Sequence, residues 1–195
     1  MPRTYVMATR NAHKVEEVSR ILAASGADIE LLPLPDEAPD VEEVGSTFAA
    51  NALLKARSAA QFTGLPAIAD DSGLCVDALN GMPGIHSARW CGRHGDDRAN
   101  LELLLGQLAE TPAPRRSAQF VCAAVVVDPS SGTEQIVEGV LEGRLAEAIH
   151  GEGGFGYDPI FVPMGEQRTT AEMWPEEKDA ISHRGQAFRH LATLL

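Results

Sequence analysis

The chain has 195 residues, 44% of them hydrophobic and 23% charged, a composition typical of a globular domain that buries a substantial core. Its formal net charge of −12 argues against a nucleic-acid polymer as a direct partner, although a small phosphate-bearing ligand remains compatible with it. The three cysteines are widely spaced without a C-x-x-C pair, which argues against a disulfide framework or a zinc site and suits a reducing compartment.

The chain begins with a predicted strand, turn and helix. Thr4–Ala8 is apolar and predicts a buried strand, and apolar residues then recur at helical spacing from Val15 to Ala24. The turn between them, Thr9–Lys14, presents backbone N–H groups at the positive end of a helix, and Lys14 adds a charge that suits phosphate. An asparagine cap beside an exposed lysine is the structural alternative, because no P-loop motif is present.

A second strand and a second helix follow. Ile29–Leu32 predicts a short strand, and a Pro-rich acidic loop continues to Asp40. Phe48–Phe62 contains no Gly or Pro and is rich in strong helix formers, so it predicts a helix. Asn51 and Lys55 lie four residues apart and share one face of this helix. Lys55 then either contacts phosphate or only solvates the helix.

Two adjacent carboxylates follow the next apolar run. Leu65–Ala69 predicts a strand that stops at Asp70 and Asp71, and Ser72 and Gly73 predict a turn. Side chains alternate across a strand, so the two acids are expected to point in different directions. Paired carboxylates suit a hard cation such as Mg²⁺ or a general base, and a solvated turn is the alternative.

The second half of the chain predicts a helix and a β-hairpin. Asp96 or Asp97 caps a helix that continues to about Ala109. The β-prone segments Ala118–Val127 and Glu134–Val140 flank a turn and predict an antiparallel hairpin, which Glu138–Leu145 continues with further glycine breaks.

A glycine-rich segment and two helical segments complete the chain. Gly151–Pro159 is the glycine maximum, where close approach of a ligand is possible, and its Phe155 either stacks on a planar ligand or anchors the core. Glu172–Ile181 is a helical segment whose Trp174 borders a pocket or packs in the core. A last helix starts at Ser182.

The order of these elements predicts the fold class. Strands and helices alternate first, and an antiparallel hairpin and further helices follow. We therefore expect an α/β fold with a mixed, elongated central sheet flanked by helices, in two lobes around an active-site cleft. The whole chain, 1–195, is expected to form a single domain.

Six motifs, taken together and in this order, resemble those of the inosine triphosphate pyrophosphatase family. They are Thr9-x-Asn11-x-x-Lys14, Thr47-Phe48-x-x-Asn51-Ala52-x-x-Lys55-Ala56, Ala67-Ile68-Ala69-Asp70-Asp71-Ser72-Gly73-Leu74, Gly81-x-Pro83-Gly84-Ile85-x-Ser87-Ala88-Arg89, Gly153-Gly154-Phe155-Gly156-Tyr157-Asp158-Pro159 and Ser182-His183-Arg184-Gly185. Each motif is weak by itself, but the six cover nearly the whole chain.

The resemblance implies a reaction and the residues that perform it. The reaction is Mg²⁺-dependent hydrolysis of dITP, ITP and XTP to the nucleoside monophosphate and pyrophosphate, which cleanses the nucleotide pool. Asp71 would accept the proton of the attacking water, and Glu42, Asp70 and Asp71 would hold the metal, with Glu43 as the alternative to Glu42. The implied substrate-binding residues are Thr9, Arg10, Asn11, Ala12, His13, Lys14, Lys55, Ser72, Phe155, Gly156, Tyr157, Asp158, Lys178, His183 and Arg184.

Within this set the resemblance implies a division of roles. The turn Thr9–Lys14 would hold the triphosphate, and Phe155 would stack on the base. Lys178, His183 and Arg184 would read the base edge. Arg10, which stands where many relatives have a small residue, would either contact phosphate or point outward. The resemblance also implies a homodimer.

Location and the competing functions complete the expectations. No signal peptide and no apolar run of about 20 residues is present, so we expect a cytoplasmic protein that does not enter a membrane. A Maf-like pyrophosphatase acting on other nucleotides is one alternative function, which the glycine-rich and Ser-His-Arg motifs disfavour. A non-enzymatic nucleotide-binding module is another, which the intact acid pair disfavours.

Overall fold

A computed structural model describes residues 3–195, and its main feature is a mixed sheet of seven strands. The strands are β1 (Arg3–Met7), β2 (Ile29–Pro33), β3 (Ala67–Val76), β4 (Met82–Pro83), β5 (Ser117–Asp128), β6 (Thr133–Leu145) and β7 (Phe161–Pro163). Their order across the sheet is β2-β1-β3-β5-β6-β7, and β4 pairs with β3 off this path. β1 pairs in parallel with β2 and β3, whereas β3–β4 and β6–β7 are antiparallel pairs.

Five α-helices lie within the described residues. They are α1 (Ala12–Ala24), α2 (Phe48–Thr63), α3 (Asp97–Gln107), α4 (Pro175–Ile181) and α5 (His183–Ala192). Asn11, Thr47 and Asp96 cap the first three, because each side chain accepts the backbone N–H of the residue three positions later. The predicted α/β class, with a mixed sheet flanked by helices, is confirmed. No helix in residues 3–195 is long and apolar enough to cross a bilayer.

The prediction for the Asp-Asp segment is wrong in one respect. β3 does not stop at the acids but runs from Ala67 to Val76, so the expected turn at Ser72 and Gly73 is absent and both residues lie in the strand. Adjacent acids followed by Ser and Gly suggest a turn only when the acids face water. Here basic side chains from other segments compensate the two charges, so the strand carries them in its interior.

Other element boundaries differ more modestly. α1 begins at Ala12, three residues before the predicted start, because Asn11 caps it. α4 begins only at Pro175, since Thr170–Glu172 forms a separate single turn before it. The predicted hairpin, by contrast, is confirmed, with a turn at 129–132 and a second strand that continues to Leu145.

The chain divides into two compact units, each with its own core. The first unit contains the described residues up to Asp71, with Cys122–Gly139 and His183–Leu195. The second contains Ser72–Val121 and Val140–Ser182, and its core gathers leucines of α3 with aromatic residues of the strands. The expected single domain, two lobes and cleft stay predictions.

In the first unit the two faces of the sheet carry separate apolar clusters. Ile68 belongs to a cluster with residues of α1 and α5, whereas Ala67 and Ala69 belong to a cluster with alanines of α2. Because side chains alternate across a strand, each face of β3 meets different helices. The same alternation decides the surroundings of Asp70 and Asp71, the next two residues.

Candidate active site

The two adjacent aspartates of β3 are both buried and point to opposite faces of the strand. Asp70 continues the face of Ile68, which packs with α1 and α5, and Asp71 continues the face of Ala69, which packs with α2. Each carboxylate therefore meets a different set of charged side chains. The expected difference in direction is present, and strand geometry is its cause.

Asp71 lies in a group that we name the carboxylate cluster: Glu43, Asn51, Lys55 and Asp71. Asn51 Nδ2 donates to Asp71 Oδ2 at 3.1 Å, and Lys55 Nζ lies 3.4 Å from Asp71 Oδ1 and 2.9 Å from Glu43 Oε1. Two carboxylates thus share one ammonium group. Burial raises the pKa of Asp71 above its ordinary value, although the positive charges of Lys55 and Lys14 oppose this shift.

The same cluster contains the carboxylates that suit a metal ion. Glu43 is half-buried and contacts Lys55, whereas Glu42 is exposed. No group of three or more His, Cys, Asp or Glu side chains forms a complete metal site in residues 3–195. Mg²⁺ is usually held by only one or two carboxylates, with water and substrate phosphates as its other ligands. Glu43 and Asp71 fit that donor set.

Asp70 lies in a second group, the buried charge network of Lys14, Glu17, Asp70 and Arg184. Lys14 Nζ is 2.9 Å from Asp70 Oδ2, and Arg184 Nη2 donates to the same oxygen at 3.2 Å. Arg184 Nη1 donates to Glu17 Oε2 at 2.6 Å. Burial by itself would raise the pKa of Asp70, but the charges of Lys14 and Arg184 hold it well below its usual range. Asp70 is therefore ionised and serves as the counter-charge of two cations.

This network bears on two predicted roles. Oδ2 of Asp70 already accepts from two cations, while its Oδ1 is buried without a hydrogen-bond partner in the described part of the chain. The Arg184 side chain is only 2% exposed and bridges two carboxylates. These contacts connect β3, α1 and α5 to one another. The expected metal contact of Asp70 and base contact of Arg184 stay predictions.

The predicted phosphate turn, 9–14, leads from β1 into the first turn of α1. Thr9 Oγ1 accepts the backbone N–H of Asn11 at 3.2 Å, and Asn11 Oδ1 accepts that of Lys14 at 3.2 Å. Asn11 is thus the helix cap that the sequence offered as the structural alternative. Ala12 and His13 are exposed at the helix start. A phosphate contact at this turn stays a prediction.

Arg10 is exposed but has several polar partners. Its Nη2 donates to the backbone oxygens of Ala38 at 2.7 Å and Asp36 at 3.3 Å, and its Nε lies 3.4 Å from Asp40 Oδ1. Arg10 therefore ties the phosphate turn to the acidic loop that precedes the carboxylate cluster in the chain.

In the second unit, Asp158 organises the glycine-rich segment 151–159, which we name the base loop. Its Oδ2 accepts from Lys178 Nζ at 2.6 Å and from the backbone N–H of Phe155 at 2.9 Å, and its Oδ1 accepts from Thr170 Oγ1 at 2.7 Å. Lys178 Nζ also lies 5.1 Å from the centroid of the Phe155 ring, within cation–π range. A side chain at Gly154 would collide with the Asp158 carboxylate, so glycine is required there.

Two further contacts hold the base loop. Asp97 Oδ2 accepts the backbone N–H of Gly156 at 2.9 Å. The Tyr157 hydroxyl donates to the backbone oxygen of Ser87 at 2.9 Å, and burial raises the pKa of this phenol. Tyr157 belongs to the apolar core of its unit, so its observed contacts are structural. The expected substrate contacts of Gly156 and Tyr157 stay predictions.

The structure also places the remaining predicted residues. Ser72 is half-buried in β3, directly after Asp71. His183 is buried at the start of α5, where its backbone oxygen approaches Gly139 so closely that no Cβ would fit there. Trp174 is 75% exposed, so the alternative that it packs in the core is wrong.

Four residues of these groups are absent from the sequence-based site. Asn51 had a signal, because it shares a helix face with Lys55. Glu17 follows Lys14 by three residues on α1, so helical spacing places the two on one face of the helix. The other two, Thr170 and Asp97, contact the base loop from distant segments, which no local pattern reveals.

Comparison with known proteins gives a consistent result. The model of the Ham1 family matches residues 5–194. A dITP/XTP pyrophosphatase of Streptomyces coelicolor is 58% identical over 192 residues, which cover 97% of this chain and 96% of that protein. One from Mycobacteroides abscessus is 54% identical over 193 residues, covering 97% and 93%. The solved structure of a HAM1 protein from Coxiella burnetii is 43% identical, with a TM-score of 0.88 and coverage of 98% of both chains.

These matches extend over nearly the same residues as the six sequence motifs. The identity exceeds half of the positions in both named relatives, and the fold agrees with a solved structure at full length. The resemblance inferred from the sequence is thereby confirmed, and the chain belongs to the Ham1 family.

Proposed function

We propose that the protein hydrolyses the non-standard purine nucleoside triphosphates dITP, ITP and XTP to the monophosphate and pyrophosphate. The observation that carries this proposal is the carboxylate cluster, in which Glu43 and Asp71 converge on Lys55. Hydrolysis of a phosphoanhydride needs positioning, charge neutralisation and a group that accepts a proton from water. The name dITP/XTP pyrophosphatase, carried by relatives at 54% and 58% identity, supports the substrate class.

Asp71 is the proposed general base. Its carboxylate is buried and oriented by Asn51 and Lys55, and its raised pKa makes it a better proton acceptor than an exposed aspartate. The oxygen of water bonds to phosphorus, and the bridging P–O bond between the α- and β-phosphates breaks, with its electron pair leaving on the bridging oxygen. Asp71 holds the proton released by water.

The cationic side chains stabilise the phosphates. Lys55 lies between two carboxylates, and Lys14 is paired with Asp70, so both ammonium groups are held at fixed positions. Glu43 and Asp71 would hold Mg²⁺, which when bound supplies further neutralisation of phosphate charge. We propose Glu43 rather than Glu42 as the second ligand, because only Glu43 belongs to the cluster.

The base loop is the proposed site for the purine. Phe155 offers a ring for stacking, and Asp158 fixes both the backbone of Phe155 and the ammonium of Lys178. Lys178 has only donors, so an acceptor oxygen at position 6 of hypoxanthine or xanthine satisfies it, whereas the amino group of adenine does not. This difference favours inosine and xanthosine nucleotides over adenosine nucleotides.

A pyrophosphate-release assay across ITP, dITP, XTP, GTP and ATP, with and without Mg²⁺, tests the proposal. We expect release from the first three that depends on Mg²⁺ and exceeds release from ATP. GTP shares the acceptor oxygen at position 6, so the assay also measures how far the protein accepts guanine. Equal turnover of ATP would contradict the assigned base preference. Hydrolysis confined to modified pyrimidine triphosphates would support the Maf-like alternative, and binding without turnover would support a nucleotide-binding module.

We also propose a cytoplasmic homodimer. The three cysteines are free thiols, which suits a reducing compartment. The dimer rests on the family resemblance alone. Light scattering coupled to gel filtration should give about twice the 20.8 kDa mass of one chain, and a monomeric mass would contradict the dimer.

A further inference from the structure

Asn51 is a fully buried polar side chain with two partners of opposite chemistry. Its Oδ1 accepts the backbone N–H of Gly45 at 2.8 Å, and its Nδ2 donates to Asp71 Oδ2 at 3.1 Å. These partners fix the orientation of the amide, since the reversed amide would place oxygen against the carboxylate and nitrogen against an N–H group. One side chain thus joins the segment that carries Glu43 to the middle of β3, which carries Asp71.

The approach of Gly45 to Asn51 is close enough to require glycine. A Cβ at position 45 would lie 2.6 Å from Asn51 Oδ1, 2.8 Å from the Cβ of Ala50 and 3.0 Å from the backbone N of Asn51. The last two atoms belong to helix α2 and cannot rotate away. Gly45 is therefore held against the helix, two residues after Glu43.

We propose that Asn51, together with Gly45, is a positioning element that fixes Glu43 and Asp71 relative to each other before the metal ion binds. The hydrogen bond to Asp71 Oδ2 orients that carboxylate, and the contact with Gly45 anchors the chain beside Glu43. The inference deepens the proposed function, because it takes the carboxylate cluster as the metal site. Groups that orient metal ligands typically change metal affinity by about 10–100-fold when they are removed.

Two variants disrupt this positioning element, one at Asn51 and one at Gly45. Asn51→Leu keeps a side chain of similar size but removes both hydrogen bonds. Gly45→Ala keeps Asn51 but forces the segment away from α2. We expect each variant to weaken binding of Mn²⁺, measured by electron paramagnetic resonance without nucleotide, by about 10-fold or more. With ITP at saturating Mg²⁺, kcat should fall more than KM rises, because Asp71 loses its orientation.

Asn100→Leu is the matched control. Asn100 is also a buried asparagine on a helix, with Oδ1 accepting from the backbone N–H of Cys91 at 2.7 Å and Nδ2 donating to the backbone oxygen of Ala88 at 3.2 Å. It contacts neither Glu43 nor Asp71. Its loss should reduce thermal stability comparably to Asn51→Leu but leave Mn²⁺ affinity unchanged.

Hydrogen exchange at the Gly45 amide tests the contact itself. This N–H is expected to be protected in the wild-type protein and in Asn100→Leu, and to exchange faster in Asn51→Leu. Wild-type Mn²⁺ affinity in both Asn51→Leu and Gly45→Ala, or no Mn²⁺ binding by the wild-type protein, would overturn the inference. The proposed function fails separately, if wild-type protein releases no pyrophosphate from ITP, dITP or XTP.

Discussion

Arg184→Leu removes the cation at the centre of the buried charge network. In the wild-type protein the guanidinium donates to Glu17 at 2.6 Å and to Asp70 at 3.2 Å, and its side chain is almost completely buried. Leucine fills part of the same volume without charge. The substitution therefore removes the charge and the hydrogen bonds of the network together with part of its packing, and the pH dependence below identifies the electrostatic part.

The magnitude follows from the charges left behind. Removing one partner of a buried ion pair costs about 3–5 kcal/mol, because the other charge stays buried without compensation. Both Glu17 and Asp70 lose a partner, but Asp70 keeps Lys14 at 2.9 Å. We therefore expect a loss of unfolding free energy within this range. For a chain of this length the loss corresponds to a fall in Tm of roughly 6–20 °C.

The pH dependence has a definite sign. The pKa of Asp70 is lowered in the folded state, so its ionised form contributes its full stabilisation of the fold at pH values above the unfolded-state pKa of about 3.9. This stabilisation is lost progressively as the pH falls from about 5 toward the much lower folded-state pKa. Without Arg184 the folded-state pKa of Asp70 rises toward the unfolded value. The difference in unfolding free energy between wild type and variant should therefore be largest at pH 7 and smaller at pH 3.

Urea denaturation at both pH values measures these differences. Arg57→Leu is the control, because Arg57 also forms a two-point ion pair, with Glu134 at 2.7 and 2.6 Å, but its side chain is 53% exposed. Solvent screens such a pair, so the urea midpoint of Arg57→Leu should stay close to that of the wild type. A loss of unfolding free energy for Arg184→Leu below about 1 kcal/mol, or a loss that is equal at pH 3 and pH 7, would refute the reasoning.

Three further variants test individual residues. Asp71→Asn should lower ITP turnover by a factor of about 100 to 10,000 while nucleotide binding, measured by calorimetry, persists; near-normal turnover would exclude Asp71 as the base. Lys178→Met should reduce the preference for ITP over ATP in kcat/KM more than it lowers kcat for ITP, and an unchanged preference would contradict its role at the base. Arg10→Ala should speed hydrogen exchange in residues 36–40, because Arg10 binds Ala38 and Asp40, and unaltered exchange would contradict that contact.

The sequence predicted the parts of the site that depend on local periodicity. Alternation along a strand separates Asp70 from Asp71, and helical spacing places Asn51 on the same face as Lys55. The continuation of β3 through the acids could not be predicted, because the compensating charges come from segments far away in the chain. Arg184, for example, contacts Asp70 from the last helix.

The base loop shows the same limit. Its glycines predict a segment where a ligand can approach closely, and the structure shows that Gly154 makes room for the carboxylate of Asp158. The hydrogen bonds that hold the loop come from Thr170 and Asp97, which lie outside it and carry no recognisable signal. Such contacts depend on tertiary packing rather than on residue type or spacing.

Chromatographic analysis of the products formed from ITP and Mg²⁺ tests the central claim most directly. The claim is that the protein cleaves the triphosphate to release pyrophosphate, with Asp71 and Lys55 at the site of the reaction. We predict one IMP for each pyrophosphate, no IDP, and much slower cleavage of ATP under the same conditions. Formation of IDP and inorganic phosphate, or equal cleavage of ATP, would contradict the account.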